Sequence, residues 1–161
     1  MNNGEIVSRV RIEKLEGHDN APFAPGFVSF PDLGLSSAVM FLVDTGNSHT
    51  ALGESDARKI GLEPRDLPTP STTCLGVGGR GNIRECQSPV IVCLVDTDNK
   101  LHEVSIPEIN ILLDFVEEQH SGGRKRKITH PYPSLLGRDF FVELDATLKF
   151  DFKKWDMWIE F

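Results

Sequence analysis

Apolar residues recur along this chain mostly with a period of two, in short runs cut by Gly, Pro and Asp, which predicts a mainly β protein. Ile6–Leu15 alternates Ile and Val with charges, as a half-buried strand does. Glu16–Gly26, with two Pro and two Gly, reads as a loop. Phe27–Phe30 and Ser37–Val43 read as two strands joined through Pro31-Asp32-Leu33-Gly34, a hairpin signature; the second is wholly apolar from Ala38 and predicts burial on both faces. Gly53–Ile60 is the first helical segment, with Gly61 as its stop, and Glu63–Pro70 follows as loop. Ser71–Cys74 and Asn82–Cys86 flank a Gly-rich tip at Gly76–Gly81 and predict a second hairpin. Pro89–Val95 and Leu101–Ile106 pair across the turn Asp96–Asn99. From Asn110 to Tyr132 the rhythm breaks. Ile111–Val116 is apolar, but Glu117–His130 is polar with Gly122-Gly123 and the basic run Arg124–Lys127, and the segment reads as an exposed inserted loop. Ser134–Gly137 is a short strand and Arg138–Leu144 a short helix. Ala146–Phe152 and Trp155–Phe161 form the last pair, around Lys153-Lys154.

The 161 residues, 17.9 kDa, fit one domain over 1–161, with 110–132 inserted in it. A bilobed enzyme with two copies of a catalytic half does not fit in that length. The net charge of −7 disfavours a nucleic-acid or membrane-surface binder, and no apolar run is long enough to span a bilayer. No signal-peptide pattern stands at the start, and three cysteines without CxxC spacing point to a reducing compartment, the cytoplasm. Five scattered His, without HExxH or Cys-His spacing, predict no metal and no cofactor.

Phe41-Leu42-Val43-Asp44-Thr45-Gly46-Asn47-Ser48 places a carboxylate at the end of an apolar strand. Taken locally, this is a strand-ending Asp in a turn. As chemistry, it is a carboxylate at the rim of a core, where desolvation favours the neutral form and Gly admits backbone close to its oxygens. Hydrolysis of a peptide by water needs an acid and a base together, which two adjacent carboxylates sharing one proton provide. The other Asp-Thr, Asp96-Thr97, precedes Asp98 in a turn and is expected in solvent, so the second carboxylate would be Asp44 of another copy. Leu75-Gly76-Val77-Gly78-Gly79 lacks the Lys-Ser/Thr and following helix of a phosphate loop, and suits a lid over an extended peptide. Ser134-Leu135-Leu136-Gly137-Arg138-Asp139 precedes a helix, and alone its Arg138-Asp139 reads as a surface charge pair.

In this order, FLVDTG with Thr50 and Leu52, LGVGG at 75–79 and LLGRDFFVELDATLKF at 135–150 resemble the retropepsin-like aspartic proteases, the single-domain relatives of retroviral proteases, over about Gly26–Phe152. The resemblance implies a closed acid-protease β-barrel with one or two short helices, one lobe per subunit of a homodimer, acting on a peptide or protein substrate. It makes Asp44 the catalytic aspartate, has Thr45 cross-brace the two active-site loops through its hydroxyl, and turns Gly46 to the substrate backbone. Val77, Gly78 and Gly79 become the flap tip, with Gly76 beside them. Leu136 and Gly137 become the strand beneath the active-site loop, and Arg138 opens a helix and braces that loop by an ion pair. Retroviral members usually carry Ala after Asp-Thr-Gly and an Asp two residues beyond the Gly; here Asn47 and Ser48 stand there, beside the substrate. Asn47 offers an amide to the outer oxygen of Asp44, and Arg138 loses its usual carboxylate, leaving Asp139 or Glu143 to replace it. The inserted 110–132 segment has no counterpart in the compact viral enzymes. An alternative function is a peptide-binding or scaffolding dimer of this fold with little or no hydrolysis.

His49 reads as a surface residue first and a specificity residue second, and Cys74 as a plain strand residue. Arg124–Lys127 reads as a solvated loop before a contact for an acidic partner. Trp155, Trp158, Ile159 and Phe161 suit either core packing or pairing of terminal strands across subunits.

Overall fold

The apolar run that ends at Val43 becomes part of a central strand in the computed structural model, which describes residues 7–15, 17, 21–69, 75–76, 79–80, 83–121 and 124–161. In chain order the strands and helices are β1 (Arg9–Arg11), β2 (Glu13–Lys14), β3 (Pro22–Phe30), β4 (Leu35–Val43), β5 (Ala51–Gly53), α1 (Glu54–Ile60), β6 (Leu75–Gly76), β7 (Gly79–Arg80), β8 (Ile83–Cys86), β9 (Val90–Val95) and β10 (Leu101–Ile106). They continue with β11 (Ile109–Leu112), β12 (Phe115–Ser121), β13 (Arg124–His130), β14 (Ser134–Leu136), α2 (Arg138–Glu143), β15 (Thr147–Asp151) and β16 (Asp156–Glu160). Nine strands form one sheet along the path β10-β9-β3-β4-β14-β5-β11-β8, with β2 also on β3. β1-β16-β15 form a second sheet, and β12-β13 and β6-β7 are separate hairpins. The fold is mainly β, as expected. The long sheet ends at β10 and β8, and no described pairing joins those ends, so the expected closed barrel is not formed among the described strands.

The Pro31-Asp32-Leu33-Gly34 signal makes the expected turn. One 3-10 turn at Pro31–Leu33 ends on Gly34 at φ 65, and Phe30 pairs with Leu35. β3 begins at Pro22, earlier than the loop reading of Glu16–Gly26 allows. Pro25 lies between the rungs to β2, at Phe23, and those to β9, from Gly26 on, so its missing N–H weakens at most one ladder. β4 differs from its expectation of two buried faces. Val39, Phe41 and Val43 are buried, Met40 and Leu42 are half-buried and Ala38 is exposed, because only one face of the sheet is fully covered. α1 ends on Gly61 at φ 109, in the left-handed region as the sequence predicts.

The core joins both sheets: Phe30, Phe41, Leu52, Leu94, Ile111 and Leu136 of the long sheet pack with Val10, Met157 and Ile159 of the small one, and with Phe140 of α2. Each fully buried Leu, Ile or Phe side chain contributes about 1.5–3 kcal/mol. The C-terminal strand therefore packs within its own chain, between β1 and β15, with Met157 and Ile159 turned into the core. The segment expected as an exposed loop is ordered differently. Ile109–Leu112 joins the long sheet, and 115–130 is a seven-rung antiparallel hairpin, Phe115↔His130 to Ser121↔Arg124.

Candidate active site

Asp44 leaves β4 at the rung where Val43 pairs with Leu136 of β14. Its N–H donates to the Leu136 carbonyl at 3.1 Å, continuing that parallel pairing by one bond, while the Asn47 N–H donates to the Asp44 carbonyl at 3.1 Å. The Gly46 N–H donates to Asp44 Oδ1 at 3.0 Å and fixes the carboxyl over its own turn. Among the described residues no donor contacts Asp44 Oδ2. Asp44 is half-buried, and Thr45, Gly46, Ser48 and His49 are exposed. A carboxylate with one fixed oxygen and one open oxygen at a solvent-facing turn can bind and polarise a water.

The rest of the loop is stapled to β14 and α2. The Arg138 N–H donates to the Asn47 carbonyl at 3.0 Å and the Asp139 N–H to the Ser48 carbonyl at 3.2 Å, so the first turn of α2 satisfies loop carbonyls instead of solvent. The Asp139 carboxylate accepts the Thr50 N–H at 2.9 Å, the Thr50 hydroxyl at 2.7 Å and the Phe140 N–H at 2.8 Å. Thr50 Oγ1 in turn accepts the Gly137 N–H at 3.1 Å, and Thr50 is 2% exposed. Gly137 is required by space, since a Cβ there would stand 2.3 Å from the His49 carbonyl carbon.

The side chain that holds the loop stands one residue beyond Arg138. Arg138 is exposed, and among the described residues its guanidinium makes no ion pair. It contributes a backbone N–H, while Asp139 holds the loop through Thr50 instead of replacing a partner for Arg138. The surface charge pair Arg138-Asp139 is not formed. Asn47 also acts through its backbone, with no side-chain bond to Asp44 among the described residues. Leu136 and Gly137 meet the loop through the Asp44 N–H bond to the Leu136 carbonyl and the Gly137 N–H bond to Thr50. The Gly-rich hairpin is present as Leu75↔Arg80 and Gly76↔Gly79; Val77, Gly78 and Ser71–Cys74 lie outside the described residues.

Residues 33–86 match the aspartyl protease family. Among solved structures, the chain is similar to a retropepsin-like aspartic protease from Rickettsia conorii, at 21% identity and a TM-score of 0.53, covering 94% of this chain and 97% of that one. No curated protein matches it. The fold is retropepsin-like. Within this fold, Asp139 and Thr50 hold the loop after Asp44, a pair that the resemblance does not mark. The signal was an Asp at the second position of a helix that follows Gly-Arg.

Asp96 is the clearest correction. Instead of facing solvent in its turn, it is 5% exposed and saturated with donors. Oδ1 accepts the Asp98 and Lys100 N–H groups, both at 2.8 Å; Oδ2 accepts the Ser8 hydroxyl and lies 2.9 Å from His102 Nε2. The Ser8 and His102 bonds, aided by the two N–H groups, outweigh burial and hold its carboxyl well below the usual range. His102 also stacks on Phe161 at 3.8 Å, and the Phe161 N–H donates to the Ser8 carbonyl, so the cluster ties both terminal segments to the β9–β10 turn.

Glu54, at the start of α1, is buried. Burial pushes its carboxyl up, but Arg58, the Asp114 N–H and Arg65 together hold it below the usual range. Cys86 and Cys93 are buried free thiols, and burial raises the Cys93 pKa. No helix among the described residues is long and apolar enough to cross a membrane.

Proposed function

We propose that this chain is a homodimeric aspartic endopeptidase. The observation that carries the reading is Asp44 itself: one carboxylate per chain, one oxygen fixed by the Gly46 N–H, its backbone pinned to Leu136 and its loop braced by Asp139 and Thr50. The 161-residue chain holds one Asp-Thr-Gly, so the second carboxylate of a water-activating pair comes from a second copy. The two Asp44 carboxyls share one proton across the two-fold axis. The ionised one takes a proton from the water between them as it attacks the scissile carbonyl, while the protonated one donates to the carbonyl oxygen. The pair titrates as a unit. Thr45 hydroxyls cross-brace the two loops, Gly46, Asn47 and Ser48 lie along the substrate, and the hairpins containing Gly76–Gly79 close over it. The free Cys86 and Cys93 suit a reducing compartment, the cytoplasm.

Asn47 and Ser48 are the grounds for a second reading, a binding-only dimer of the same fold. The Asp139–Thr50 brace favours the enzyme, because the loop keeps its support without the carboxylate that Ser48 replaces. The test is cleavage of a peptide library by purified protein, with and without a statine-type inhibitor, beside sedimentation across concentration. Inhibitor-sensitive cleavage that Asp44→Asn abolishes supports the reading. A strict monomer with no peptide-induced association, or undiminished cleavage by Asp44→Asn, ends it.

A further inference from the structure

An antiparallel sheet with one solvated face ordinarily sets apolar residues inward and polar residues outward. The outward positions of β3, β4, β9 and β10 depart from that rule, and the register sorts them into rows. Leu101 pairs with Val95 and Pro25 with Met40, and because Gly26 pairs with Leu94, Pro25 falls beside Val95. The next row is Glu103, Cys93, Phe27 and Ala38, and the one after it is Ser105, Ile91, Ser29 and Ser36. Leu101 is 59% exposed, Val95 44% and Phe27 43%. Pro25 and Ala38 are also exposed, and Met40 is half-buried.

Polarity along these rows is graded. Alternation along β4 sets Leu42, Met40, Ala38 and Ser36 on one face. Asp44, which extends the pairing with β14 by one bond, comes next in that alternation. The row nearest Asp44, Leu42 with Phe23, is half-buried and buried. The apolar row of Met40 and Val95 follows, then the mixed row of Phe27 and Glu103, and the serines come last. Apolar character therefore rises toward Asp44. Met40 stands about 13 Å from Asp44 along β4, and Leu101 lies three strands, about 14 Å, to the side of Met40. The far corner of this platform is thus about 20 Å from the carboxylate, or roughly six residues of extended chain.

Charge and position decide what the platform suits. Glu103 is the one charged residue at these outward positions, and the chain carries −7, so an anionic bilayer or a nucleic acid is repelled. A second copy that brings its Asp44 to this Asp44 has its two-fold axis at the end of β4, away from Val95 and Leu101. A polypeptide that leaves the site in extended form reaches the platform directly and offers it every second side chain.

We infer that the platform of Phe27, Val95 and Leu101 is an exosite that holds an apolar, extended stretch of the polypeptide substrate, roughly six residues from the scissile bond. The inference rests on the peptidase reading above and names its substrate class: long, unfolded segments with apolar residues away from the cleaved bond.

Binding to Asp44→Asn protein, followed by fluorescence anisotropy, separates the platform from catalysis. The probes are a labelled peptide with one end that alternates Val and Ser, and a twin with Ser in place of each Val. The Val peptide binds about ten-fold tighter. Replacing Phe27, Val95 and Leu101 by Thr, which keeps strand propensity, removes that preference. The same variant leaves the Ser peptide's affinity, the thermal midpoint and the sedimentation of the protein unchanged. Leu101→Lys alone, at the most exposed position, lowers the preference several-fold and gives a readout even where the triple variant misfolds. In protein that retains Asp44, the triple variant raises KM for a cleaved peptide carrying the Val-Ser extension and leaves kcat unchanged. Equal affinity for the two peptides overturns the inference, as does a preference intact in both variants. Weakened self-association in Leu101→Lys makes the platform an interface between copies, and loss of adsorption to phosphatidylserine vesicles makes it a membrane face; either result overturns the inference. Failure of Asp44-dependent cleavage, by contrast, strikes the peptidase reading and leaves the binding difference measurable.

Discussion

Asp44-Thr45 and Asp96-Thr97 are the same dipeptide at the ends of two strands of one sheet, and the structure uses them in opposite ways. Asp96 is buried with both oxygens occupied by two N–H groups, Ser8 and His102. Asp44 is half-buried and takes one N–H on one oxygen. A carboxylate with every lone pair committed to the protein holds a fold together, and one with lone pairs left open can hold a water. The local sequence does not separate these outcomes, because the decisive donors come from Ser8, far away along the chain, and from His102, across the β9–β10 turn.

Substitution breaks the comparison most sharply at Asp44. Asp44→Asn lowers kcat by about 10³-fold or more and leaves the thermal midpoint near that of the unaltered protein, because the amide keeps the acceptor for the Gly46 N–H. Asp96→Asn lowers the midpoint, and activity follows the folded fraction. Calorimetry beside peptide cleavage distinguishes the two, and equal loss of folding in both variants refutes the distinction.

Next in size is the brace. Asp139→Ala strands the buried Thr50 N–H and hydroxyl and costs about 2–4 kcal/mol by urea denaturation, with kcat falling beyond what the folded fraction explains. Asp139→Asn recovers part of both losses, since an amide oxygen still accepts one donor.

The acid limb of stability sharpens the contrast further. The Asp96 carboxyl is held below its ordinary value in the folded state, so it stabilises the fold above the unfolded carboxylate pKa of about 3.9 and loses that contribution as pH falls below it. Thermal midpoints measured between neutral pH and about pH 3 fall less steeply in Asp96→Asn than in the unaltered protein. Parallel curves count against this assignment.

The smallest effect belongs to Arg138. Arg138→Ala changes stability by less than about 0.5 kcal/mol and barely alters cleavage, because only its backbone N–H meets the loop. A loss as large as that of Asp139→Ala would return the brace to the arginine.

The periodic parts were legible because local chemistry is enough to specify them. The β3–β4 turn follows from Pro31 and Gly34, the end of α1 from Gly61, and the strand into Asp44 from its apolar run. Gly137 is explained by space, since only Gly fits against the His49 carbonyl. The brace was misplaced because Arg138 and Asp139 are adjacent and both polar, and the direction of the first turn of α2 decides which side chain meets Thr50. The 115–130 segment reads as a loop because its charges run together, at Glu117-Glu118 and Arg124–Lys127, without the apolar alternation that marks a strand.

By itself, the sequence determined a mainly β chain with a single Asp-Thr-Gly ending an apolar strand, a Gly-rich hairpin and a Leu-Leu-Gly segment before a short helix. Periodicity, turn chemistry and residue size all act over a few neighbours. Tertiary structure alone decided which Asp-Thr is saturated, which residue supports the loop after Asp44, and that 115–130 pairs as an antiparallel hairpin. The first two outcomes depend on hydrogen bonds between segments distant in the chain, where burial makes every unpaired donor costly, and the third on strand register.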